Sequence, residues 1–163
     1  MRIQVSRALV RLGCLFLIFC YTPLTQAEPV VFGPGAYVID LGQAPQTEAN
    51  ALRPYGLVYT LSSEQQIPVA WAIAPNKAAD DAGDFVANGK AYRSSAFIIE
   101  PQFGPFVADA VQAWRDRGVQ IDGPLPVGFE ADIYGTISGL PSIGLDEENA
   151  LIVKGYLDNA MVP

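Results

Sequence analysis

Apolar and polar positions change period several times along this chain, and each period predicts an element. Val30-Val31-Phe32 and Gly35-Ala36-Tyr37-Val38-Ile39-Asp40 are short apolar runs around a Gly-Pro-Gly turn and read as strands. A polar loop follows from Gln43. With Asn50 as the expected N-cap, Leu52, Tyr55, Val58, Tyr59 and Leu61 recur at helical spacing. Pro54 falls in the first turn, where backbone donors have no internal partner. Ile67 to Ile73 is apolar throughout and closes at Pro75, as a strand buried on both faces would. Phe85-Val86-Ala87 and Lys90-Ala91-Tyr92 flank Asn88-Gly89, the dipeptide that best tolerates positive φ at both turn positions, and predict a hairpin. Ala96 to Ile99, closed by Glu100-Pro101, is a second strand without a polar face.

Phe103, Phe106, Val107, Ala110, Val111 and Trp114 predict a one-faced helix, stopped by Gly118. Val119 to Asp122 reads as a strand before the Gly123-Pro124 turn. Val127, Phe129, Ala131 and Ile133 alternate with polar or exposed positions, so that strand has one wet face. Ser142 to Leu145 is a short strand, and Ala150, Val153, Tyr156, Leu157 and Ala160 mark a final helix over residues 147–160. Helices followed by two-face apolar strands imply an α/β fold: a mixed, mainly parallel sheet with two or three flanking helices and an inserted β-hairpin. A strand feeding a last helix calls for a return strand to cover it, so the chain reads as truncated; the alternative is a natural C-terminal helix docked on the sheet. Residues 28–141 are then an exported α/β domain and residues 142–163 the start of a further, incomplete βα unit.

The N-terminal stretch alters the composition that matters. Arg2, Arg7 and Arg11 precede the apolar run Leu12 to Cys20, and Thr25-Gln26-Ala27 offers small residues for cleavage before Glu28. Residues 1–27 therefore read as a signal peptide; the apolar core is too short for the roughly 20 residues of a membrane span. Its removal takes both cysteines and three arginines, moving the net charge from −7 to about −10 with 17 acidic groups retained. A cysteine-free, acidic, exported chain suits the periplasm or the extracellular space, and its charge disfavours nucleic acid and, after cleavage, membrane surfaces. The chain has no histidine, which excludes Ser-His-Asp and Cys-His relays and HExxH zinc sites.

Leu52-Arg53-Pro54-Tyr55-Gly56-Leu57-Val58-Tyr59, Ile67 to Ile73, Gly83-Asp84-Phe85 with Asn88-Gly89-Lys90, and Phe97-Ile98-Ile99 together carry a resemblance. They resemble the opening segment of larger exported bacterial proteins without assigned function. The closing Tyr156 to Pro163 is similar to the point where those chains continue into a region that looks glutamine-amidotransferase-like. The resemblance rests on fold-forming positions over most of residues 50–163. It implies a missing C-terminal domain or an envelope protein partner, and it transfers no catalytic motif.

Candidate chemistry is confined to acids and a few amines. Apolar runs end in Asp40, Glu100, Asp122 and Asp146; beyond the carboxyl ends of parallel strands these could converge on one ligand crevice, with oxygen donors suited to Mg²⁺ or Ca²⁺. Asp is equally a favoured turn and capping residue at such places. Asn76-Lys77, just past a strand, could grip an anion or simply be a solvated loop. Glu130 and Asp132 share a strand face with side chains starting roughly 7 Å apart, a separation usable by a carboxylate hydrolase or ordinary for a charged edge. Lys77, Lys90 and Lys154 are the candidate bases for a Ser-Lys dyad, but no spacing favours one. Trp71 and Trp114 fall in apolar patterns and read as core. No cofactor motif is present. The first expectation is a non-catalytic N-terminal domain or fragment of a larger bacterial envelope protein, serving assembly or ligand recognition. The alternatives are a free-standing periplasmic binding module and a carboxylate or divalent-metal-dependent hydrolase.

Overall fold

The computed structural model describes residues 27–77, 83–140, 144 and 147–163. The strand expected at Ser142–Leu145, the candidate ligand Asp146 and most of the targeting segment lie outside the described residues.

Among the described residues the apolar runs form eight strands: β1 (Glu28–Phe32), β2 (Tyr37–Asp40), β3 (Val69–Ala72), β4 (Phe85–Ala87), β5 (Lys90–Tyr92), β6 (Ala96–Ile99), β7 (Ile121–Asp122) and β8 (Phe129–Ile137). The helices are α1 (Glu48–Ala51), α2 (Arg53–Tyr59), α3 (Gly104–Asp116) and α4 (Ala150–Ala160). The first helical stretch begins earlier than its periodicity implies. Thr47, not Asn50, caps it, its hydroxyl oxygen accepting the Asn50 N–H at 3.3 Å. Asn50 sits inside α1, and its side-chain amide donates to the Pro45 carbonyl. α2 runs on into a π-helical turn, Thr60–Glu64. In α3 the buried stripe is Val107, Val111 and Trp114, whereas Phe106, one residue or about 100° off that stripe, is exposed. Asn88 and Gly89 have φ of 48° and 77°, as a tight β4–β5 hairpin requires, and Gly118, at φ 92°, ends α3.

The six-stranded sheet has the order β1-β8-β3-β6-β2-β7, and every neighbouring pair is antiparallel. The mainly parallel sheet expected from the pattern does not form. β2 and β3, joined through α1 and α2, do run parallel, but β6 lies between them; β6 and β7, joined through α3, run parallel on either side of β2. Two βαβ crossovers are thus interleaved, the split βαβ arrangement of ferredoxin-like sheets. β8 and β1 widen the sheet beyond β3, and the hairpin is inserted between β3 and β6.

The strands are apolar on both faces because both faces are covered. Ile39, Val69, Phe97 and Ile99 meet Leu57, Leu61, Val107 and Trp114 from the helices. On the other side Val38, Ala70 and Ile98 meet Phe85 and Tyr92 of the hairpin and Leu125 of the loop before β8. Tyr92, Phe85, Phe129 and Phe32 stack in series, with centroid separations of 4.8, 5.5 and 5.3 Å, tying the hairpin to the β1–β8 arm. A hairpin on the second face replaces the helices that a parallel sheet would need there.

Candidate functional site

Antiparallel pairing decides which acids meet. Asp122 lies opposite Val38, and Asp40 is two residues beyond Val38, so both carboxylates project on the hairpin face. Lys90, from the hairpin, joins them: its Nζ is 2.7 Å from Asp40 Oδ2 and 2.8 Å from Asp122 Oδ2. The Tyr92 hydroxyl donates to Asp122 Oδ2 at 2.8 Å. Asp40 is buried and also accepts the Gly42 N–H at 2.8 Å and the Gln43 side-chain amide at 2.5 Å. Burial alone would lower the Lys90 pKa, but hydrogen bonds to Asp122 and Asp40 and their charge raise it above the ordinary 10.5. The Tyr92 phenol is pushed far above its ordinary value by burial, then by the hydrogen bond to Asp122 and the charges of Asp122 and Asp40. Neither group can serve as a base near neutrality. The cluster fastens the hairpin to the sheet.

A second cluster fastens the hairpin's other end. Asp84, whose side chain is fully buried, accepts the Ala74 and Ser95 N–H groups at 2.9 and 2.8 Å and pairs with Lys77 at 2.7 Å. Lys77 also donates to the Arg93 carbonyl, so its ammonium is already engaged, and Asn76 beside it is exposed. Lys154 pairs with Asp158. All three candidate dyad lysines therefore face carboxylates.

The remaining acids do not join these clusters. Glu100 ends β6 at the opposite edge of the strands from Asp40, because β6 and β2 are antiparallel, and it accepts from the Gln102 amide at 2.9 Å. Glu130 and Asp132 alternate with Phe129 and Ala131, so they lie on the helix-side face, away from Asp40 and Asp122. Neither has a side-chain partner among the described residues, where no three acidic side chains form a metal-ligand group.

An apolar concavity lies elsewhere among the described residues. α4 packs chiefly on α1 and α2 and stands off the sheet. Between them is a cleft of about 610 Å³. Tyr55 and Tyr59 of α2, Trp71 of β3, Phe97 of β6 and Tyr156 of α4 line it, with aliphatic side chains such as Leu157 and Ile137 between them. Among the described residues its lining includes no charged side chain. Gly56 sets the gap: a Cβ there would fall 1.9 Å from the Ala160 carbonyl oxygen and 2.5 Å from the Trp114 ring, so only glycine lets α4 end against α2. At the sheet side, a bulge between Trp71 and Ala72 brings Tyr134 edge-on to Trp71, at 5.5 Å and 78°. The apolar pattern assigns Tyr55, Tyr59, Trp71, Phe97 and Tyr156 to apolar faces, and Tyr134 to the wet face of its strand. Nothing in a helical period says that the layer above them stands away.

A split βαβ sheet, antiparallel throughout, with one helix held off its face and with its lysines held in ion pairs, defines the described residues structurally as an α+β domain carrying an aromatic cleft. Comparison with protein-family models, curated proteins and solved structures gives no match.

Proposed function

We propose that this chain is the non-catalytic recognition domain of an exported bacterial envelope protein, and that it holds an apolar ligand in the aromatic cleft. One observation carries the reading: a cleft of about 610 Å³, lined by aromatic and aliphatic side chains, lies between α4 and the sheet. The volume falls within the range of small-molecule sites, and such sites are lined mainly by apolar and aromatic groups. Engagement of Lys90 and Lys77 by buried acids supports a binding role over hydrolysis, since it removes the amines a nucleophilic or acid-base mechanism would use.

The neutral dye N-phenylnaphthylamine tests this. It should brighten on binding, with one dye per chain. Leu157→Trp, which fills the cleft from α4, should abolish that signal while leaving cooperative unfolding intact. A dye signal unchanged in Leu157→Trp would refute the assignment of the cleft.

A further inference from the structure

Resting on that reading, we infer that the cleft selects a hydrophobic cation, an alkyl or aryl group ending in a quaternary or protonated amine, over a neutral or anionic ligand of the same size. Two independent features meet here. The first is the lining: Tyr55, Tyr59, Trp71 and Tyr156, with the buried Phe97 ring packed on Tyr55 and Trp71, give one cleft an aromatic wall. Ring faces attract cations, most strongly where water is excluded, and aromatic-lined pockets are a recurrent solution for quaternary ammonium groups.

The second is charge. The whole chain carries −7, and all but one of the described cations are engaged by other groups of the protein. Lys77 pairs with Asp84, Lys90 with Asp40 and Asp122, and Lys154 with Asp158. Arg53 and Arg115 donate to backbone carbonyls, of Arg117 and of Ile121 and Gly123 respectively. Arg117 lies over the Trp114 ring. Among the described residues Arg93 alone has no such side-chain engagement, and it does not line the cleft. A carboxylate or phosphate headgroup entering the cleft would find no cation among the described lining residues, and the chain's net negative charge sets a long-range field that disfavours it. A cationic headgroup would be drawn in by that field and held by the rings, while its alkyl portion buries against Leu157 and Ile137.

Three probes sharing a hexyl chain test this: hexyltrimethylammonium, hexan-ol and hexanoate. Binding is followed by calorimetry and by the shift of the Trp71 indole N–H signal, assigned with Trp71→Phe. The cation should bind about tenfold more tightly than the alcohol, as one favourable cation–ring contact allows, and hexanoate should bind most weakly. Tyr156→Leu, at a largely exposed position, should keep alcohol binding and reduce the cation's advantage. Equal affinity for cation and alcohol, or tightest binding of hexanoate, overturns the inference and leaves the apolar cleft standing. If none of the three moves the Trp71 signal, the proposed binding function falls with it.

Discussion

Lys90 shows how one residue can be misread from its neighbours in sequence. It follows an Asn-Gly turn, where a lysine is ordinarily a solvated hairpin tip, yet its ammonium lies between the carboxylates of Asp40 and Asp122. Those two acids are visible in the sequence as strand ends. Their meeting is not, because it depends on Asp122 falling opposite Val38 across a ladder of only two residue pairs. The arrangement has a direct consequence for pH dependence. The folded-state pKa values of Lys90 and Tyr92 are raised above 10.5 and 10.0. The stability they contribute is therefore fully present below about pH 10 and lost as pH rises through the folded values. Urea midpoints should hold from pH 7 to 10 and fall beyond it, and the fall should be smaller in a Lys90→Met, Tyr92→Phe double variant. An equal fall in that variant would place the alkaline sensitivity elsewhere. At pH 7, Lys90→Met alone should cost about 1–2 kcal/mol. That is below the loss for breaking a fully buried pair, because the Lys90 side chain is 39% exposed and solvent screens it.

At the scale of elements, what the sequence shows well is local. The β4–β5 turn, the stop of α3 at Gly118 and the two-face burial of β6 follow from turn chemistry and period. Sheet topology does not. A strand buried on both faces signals cover on both faces, and that cover can be helices on one side and a hairpin on the other. Interleaving the crossovers leaves each strand's pattern untouched while making every neighbour antiparallel, so periodicity could not separate the parallel sheet from the split one. The cleft was equally hidden. Tyr55, Tyr59 and Tyr156 have the helical spacing of core residues, and only the seat of α4 on α2 decides whether they are filled over. Gly56 controls that seat. Alanine is ordinarily the better helix residue by nearly 1 kcal/mol, but here its methyl would collide with the Ala160 backbone. Gly56→Ala should therefore destabilise the protein, by about 1–3 kcal/mol as overpacking does, measured by urea denaturation. A stabilised variant would show that α4 does not rest where Gly56 places it.

In the whole molecule, stability should be graded from the sheet centre outward. β2 and β6 have neighbours on both edges and cover on both faces, with all four residues of each buried. α3 presses Val107, Val111 and Trp114 into that layer. α4 does neither. Of its apolar residues Leu151 is 84% exposed, Tyr156 60%, and only Ala160 is buried. A helix with so little buried surface opens at a lower free energy than the sheet it overhangs. Its amides from Val153 to Ala160 should exchange with deuterium well before those of Val107 to Trp114 in α3, and both before the ladder between β2 and β6. A ligand in the cleft would touch Tyr156 and Leu157 on one side and Trp71 on the other, so it would stabilise the folded seat of α4 in proportion to its occupancy. Exchange in α4 should therefore slow when the cleft is saturated, while α3 and the β2–β6 ladder change little. Equal protection of α4 and α3 without ligand would mean that α4 is packed onto the sheet and that the cleft is closed in solution.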